Sequence, residues 1–121
     1  MKSPLQITVR DMPHSEALDA RIRDNAAKLE ELHPNITSTR VTIEELRKRH
    51  QQGRHFQVGI EVHVPGRAIV ANRARHEDVY VALREAFDAA KRQVEEDIHV
   101  RRGKLKARKI QKRGTDDTSG G

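Results

Sequence analysis

Any chemistry in this chain must come from histidines and carboxylates, because none of its 121 residues is cysteine. That absence removes a thiol nucleophile, a Cys-based zinc site, an iron–sulfur cluster and a disulfide scaffold. His55, Glu61 and His63 occupy odd positions of one alternating run, so they share a face on which a metal ion is conceivable. On an extended strand, however, His55 and His63 lie about 26 Å apart, too far for one ion. Glu61 and His63 alone are a poor ligand set and read as members of a solvated cross-strand pair. Glu44 and Glu45 are adjacent, so a strand points them to opposite faces and they cannot act as a carboxylate dyad. There is no Gly-rich phosphate loop, no GxSxG and no HExxH. The residues predict no enzyme, no metal and no cofactor.

The other candidate chemistry is the binding of a polyanion. Residues 1–100 hold 16 Lys/Arg and 16 Asp/Glu, whereas 101–113 (RRGKLKARKIQKR) hold eight basic residues and no acid. The formal charge of +6 therefore comes from one short run on a neutral body. Such a basic arm suits nucleic acid, although a solvated tail that only aids solubility would look the same. No apolar stretch reaches membrane-spanning length, and Met1-Lys2-Ser3-Pro4 opens without the apolar region of a signal peptide. The expectation is a cytoplasmic protein with neither a membrane partner nor a small-molecule substrate.

The elements that position these residues can be read from periodicity. Leu5, Ile7 and Val9 alternate with polar residues as in a half-buried strand. Ser15 is placed to cap a helix whose stripe is Leu18, Ile22, Ala26, Leu29 and Leu32, and Pro34 closes it. Three strands follow. Residues 37–46 turn Val41 and Ile43 inward. Residues 55–64 turn Phe56, Val58, Ile60, Val62 and Val64 inward, and residues 67–74 do the same with Ile69 and Ala71. A polar, basic hairpin loop fills 47–53, and Pro65-Gly66 makes a tight turn. A last helix starts near residue 77, with Glu77 and Asp78 in its first turn. Its stripe is Val79/Tyr80, Leu83, Phe87, Ala90, Val94 and Ile98, and Gly103 is expected to end or loosen it.

This order, β-α-β-β-β-α, predicts an α+β fold of two layers: a four-stranded mixed sheet with both helices on one face. Strands one and two should be parallel, the rest antiparallel. The domain reading is a body over 1–100, a basic arm over 101–113 and a disordered tail over 114–121. With aromatics limited to Phe56, Tyr80 and Phe87, the core must be aliphatic. All three aromatics fall on the inward stripes, which argues against stacking on RNA; Tyr80→Ala would then cost about 3 kcal/mol.

Several stretches resemble the ribosome hibernation-promoting factors, also called ribosome-associated inhibitors or sigma-54 modulation proteins, in their short form. They are Ala27-Lys28-Leu29-Glu30 followed by Ile36-Thr37-Ser38, then Val62-His63-Val64-Pro65-Gly66. The most specific is Glu77-Asp78-Val79-Tyr80-Val81-Ala82-Leu83, similar to the family's acidic-Asp-hydrophobic-Tyr-Ala-Ala-aliphatic signature, with Asp88 and Arg92-Gln93 after it. The resemblance covers about residues 4–98.

It implies a fold similar to the double-stranded-RNA-binding domain and no catalysis. It also implies the ribosome as partner: ribosomal RNA of the small subunit, in the channel used by messenger RNA and transfer RNA. The protein would there silence translation under stress or in stationary phase. Lys28 and Arg92 match basic positions of the family pattern. Arg84 and Lys91 are further basic residues on the outer face of the last helix. The arm adds Arg101, Arg102, Lys104, Lys106, Arg108 and Lys109 as RNA-binding candidates. Asn25 and Ala89 stand where many relatives carry Lys, and Glu95-Glu96-Asp97 stands where relatives turn basic. The free protein is expected to be monomeric. The main alternative is a non-specific nucleic-acid-binding module that acts through the arm alone. A protein-interaction role is a third reading.

Overall fold

The structure, a computed structural model, describes residues 4–46 and 55–114, with the side chains of 72–73 and 102–114 left aside. Its elements are β1 (Leu5–Arg10), α1 (Glu16–Leu32), β2 (Ser38–Leu46), β3 (His55–Val64), β4 (Arg67–His76) and α2 (Val79–Gly114). The basic loop expected over 47–53 and the tail from residue 115 lie outside the described residues.

The sheet order is β1-β2-β3-β4. β1 runs parallel to β2, with Ile7 beside Val41 and Val9 beside Ile43. β2–β3 and β3–β4 are antiparallel, and pair Val41 with Ile60 and Val62 with Ile69. The alternation thus places one aliphatic set on one face. That face meets both helices in a core whose largest fully buried side chains are Ile22, Ile43, Ile60, Leu83, Val41, Val58, Val62 and Val94. Glu44 lies on the open face beside Gln57, and Glu45 is buried on the covered face beside Phe56.

Local chemistry sets the helix ends. Ser15 Oγ accepts the Leu18 N–H at 3.2 Å, as an N-cap does, and the His33 N–H closes α1 on Leu29 O at 3.0 Å. α2 starts two residues later than expected. Asp78 is its cap instead of a first-turn residue, with Oδ1 accepting the Tyr80 N–H at 2.8 Å. At the β3–β4 turn Gly66 takes φ +88°, a left-handed conformation open to glycine at little cost.

Four further expectations are corrected. β4 extends past residue 74 to His76, because a bulge inserts a residue: Val58 pairs with Ala74 while Ile60 pairs with Ala71. The extra residue resets the alternation and returns Ala74 to the core side. Leu32 ends α1 at 55% exposure, beyond the reach of the sheet. Gly103 does not end α2, which continues to Gly114. One glycine costs a helix about 1 kcal/mol, and its neighbours are the strong helix formers Arg, Lys, Leu, Ala and Gln. Lastly, only Phe87 of the three aromatics is buried. Phe56 is half-buried at the end of the sheet, and Tyr80 is exposed.

Candidate nucleic-acid interface

Two contacts fix how the helices lie against each other. Near the start of both, the Arg21 guanidinium sits 5.2 Å from the centre of the Tyr80 ring. Farther on, His33 Nε2 lies 3.4 Å from Glu95 Oε2. The steps from Arg21 to His33 and from Tyr80 to Glu95 are both about 20 Å at 1.5 Å per residue, so the helices run side by side in the same direction.

Helical spacing from these anchors defines the flank each helix turns to the other. On α1 the flank holds Arg21, Asn25 and Lys28; on α2 it holds Tyr80, Arg84 and Lys91, with the acids Asp88 and Glu95 at helical spacing beside them. The cations Arg21, Lys28, Arg84 and Lys91 are exposed and border one seam on the surface away from the sheet. Arg21 and Lys28 are about 10 Å apart along the axis, as are Arg84 and Lys91, so the seam has a pair of cations on each side. Lys28 reaches Asp24 at 3.3 Å and Arg23 reaches Asp19 at 2.7 Å. Such exposed pairs contribute about 0–1 kcal/mol, so a phosphate can replace the carboxylate at small cost.

On the opposite face of the sheet charges of both signs are interspersed. Arg40 is in register with Glu61, and Arg10 with Glu44. Arg75 Nε donates to Gln57 Oε1 at 2.9 Å, and His63 meets Glu61 along one strand instead of across two. Opposite charges there are already neighbours, which leaves little excess field for a polyanion.

The candidates named from sequence therefore separate. Lys28, Arg84 and Lys91 come together at the seam. Arg92 lies farther round α2, exposed at helical spacing from Glu85, Asp88 and Glu96, although it and Lys91 share the neighbours Asp88 and Glu95. Arg101 turns back to the body, where its Nη2 donates to Pro65 O at 3.4 Å. Arg102, Lys104, Lys106, Arg108 and Lys109 lie on the helical continuation of α2, and their side chains lie outside the described residues. Over 101–113 that continuation adds about 20 Å of axis. Arg21 is not singled out by the sequence pattern, although its spacing of seven from Lys28 places both on one flank.

The acidic stretch of α2 also gains a role. Asp97 Oδ1 is ion-paired with Arg67 Nη2 at the start of β4, and Glu95 stands against His33 at the end of α1. The Asp97 pair ties α2 to the body, whereas the Glu95 approach to His33 makes no hydrogen bond. Asn25 lies in the seam and donates from Nδ2 to Arg21 O at 3.0 Å, whereas Ala89 packs against the core on the other flank. Of the two positions without the expected lysine, only the first thins the seam.

The family model for the sigma 54 modulation protein / S30EA ribosomal protein matches residues 5–102. The chain belongs to this family. Its members are non-enzymatic ribosome-associated factors, so the ribosome is the partner that membership implies. No curated protein matches the chain. Among solved structures, a ribosomal subunit interface protein from Coxiella burnetii is similar at a TM-score of 0.68 and 18% identity, over 79% of this chain and 98% of that one. The N-terminal domain of Thermus thermophilus Protein Y is similar at 0.62 and 20%, over 77% and 93%. Both likenesses concern the fold, and they agree with its four-stranded sheet and two helices. Among the described residues no helix is long and apolar enough to cross a membrane.

Proposed function

We propose that this protein is a cytoplasmic ribosome-hibernation factor that binds the small ribosomal subunit in the messenger and transfer RNA channel. It silences translation there by occupancy, without catalysis. The observation that carries this reading is the seam: two parallel helices present four exposed cations on the flanks they turn to each other, and one of the helices runs on into the basic arm. Ribosomal RNA presents phosphates in fixed positions, and cations held on rigid helices suit such a target better than cations on a mobile chain. The name of the Coxiella burnetii neighbour, a subunit interface protein, supports this location. The neutral body means that long-range attraction comes from the arm and selectivity from the seam.

The second reading, a non-specific nucleic-acid binder, is favoured by the concentration of the whole net charge in 101–113. A triple variant, Lys28→Glu with Arg84→Glu and Lys91→Glu, separates the two. Ribosome binding in the presence of excess transfer RNA is expected to collapse while binding to bulk RNA at low salt persists. If ribosome binding survives the triple variant but is abolished by removal of 101–121, the arm alone carries the activity.

A further inference from the structure

Tyr80 occupies a stripe position that the helical repeat assigns to the core, yet it is 36% exposed and its ring carries the Arg21 guanidinium. Two features distinguish this pair from an ordinary surface aromatic. Among the described residues Arg21 has no carboxylate partner, whereas Arg23 and Lys28 on the same helix each have an acid four residues away. The pair also stands at the head of the basic seam, with Arg84 one helical turn beyond Tyr80. A partly exposed ring and an arginine without a carboxylate partner are the two side-chain surfaces on which nucleobases stack.

We propose that Arg21 and Tyr80 form a stacking site for an unpaired nucleobase, so that the seam prefers RNA with unstacked bases over continuous duplex. This rests on the seam's being an RNA-binding surface and adds a base-contacting element to phosphate contacts. The guanidinium is planar and delocalised, so it can cover one face of the phenol ring or pass onto the incoming base without losing an ion pair. Arg84 and Lys28 then lie within reach of the phosphates flanking that base. The bases of a continuous duplex remain stacked on one another, and such RNA would engage the cations only.

The chain supplies its own reporter, since Tyr80 is its only tyrosine and it has no tryptophan. The intact protein is titrated with a short oligouridylate, an RNA duplex of matched charge and polyphosphate. Tyrosine emission is recorded alongside the anisotropy of labelled RNA. Oligouridylate, whose bases stack little on one another, is expected to quench the emission, while polyphosphate binds without quenching. Tyr80→Leu is expected to lose about tenfold of the preference for oligouridylate over duplex, and Tyr80→Phe to keep it. Oligouridylate binding with unchanged emission, or a Tyr80→Leu protein with its preference intact, overturns the stacking site and leaves the seam standing. Failure of all three polyanions to bind overturns both.

Discussion

Lys28 and Arg84 are exposed, and the cation that reaches a carboxylate does so one turn away in water. Reversing either charge is expected to leave stability within about 0.5 kcal/mol, as for most surface substitutions. Ribosome binding should weaken, and its log–log salt slope should fall by about 0.9 for each phosphate no longer neutralised. A variant that unfolds, or one that binds with an unchanged slope, would contradict the assignment. The aromatics give a second contrast. Phe87→Ala empties a buried site and is expected to cost about 3–5 kcal/mol by chemical denaturation. Tyr80→Ala is expected to cost only about 1 kcal/mol, because much of the ring already faces water and Arg21. Both residues lie on one apolar stripe, and periodicity alone could not tell them apart. What separates them is how far the sheet and α1 extend over each, which the local pattern does not contain.

At the level of the elements, the four strands, both helices and the inward aliphatic set were legible, because period-2 and helical repeats are local signals. The bulge opposite Gly59 was not, since Ala71 to Ala74 looks like a decaying alternation until its partner strand is known. Helix length was hidden for another reason: Gly103 looks like a stop, but a single glycine among good helix formers is only a modest cost. Gly103→Ala is accordingly expected to raise the helical circular dichroism signal, and Gly103→Pro to lower it. The opposite order would place a break at that position. The acidic stretch of α2 sorts in the same way. Among the described residues Glu96 has no ion partner, so Glu96→Lys is expected to tighten RNA binding at low salt without loss of stability. Asp97→Lys breaks the pair with Arg67 and sets two cations together, at an expected cost of about 1–2 kcal/mol in thermal or denaturant melts.

For the molecule as a whole, the charge runs from an open sheet face of mixed sign, through the seam, to a helix that continues through the basic run 101–113. Of the ten residues first named as RNA contacts, Lys28, Arg84 and Lys91 converge at the seam. Arg92 and Arg101 are turned elsewhere, on a crest among acids and onto the Pro65 carbonyl. Sequence showed which residues were basic and helical. Which flank faced the neighbouring helix depended on the Arg21–Tyr80 and His33–Glu95 contacts, which join residues about 60 positions apart. If about five to eight phosphates are neutralised by seam and arm together, the log–log salt slope should fall on the order of −4 to −7. The most direct test is co-sedimentation of the intact protein with purified ribosomes through a sucrose gradient, at near-physiological salt and with excess transfer RNA. The account predicts that the protein travels with the small subunit and with whole ribosomes. Protein left at the top of the gradient, or carried off by the transfer RNA, would contradict it.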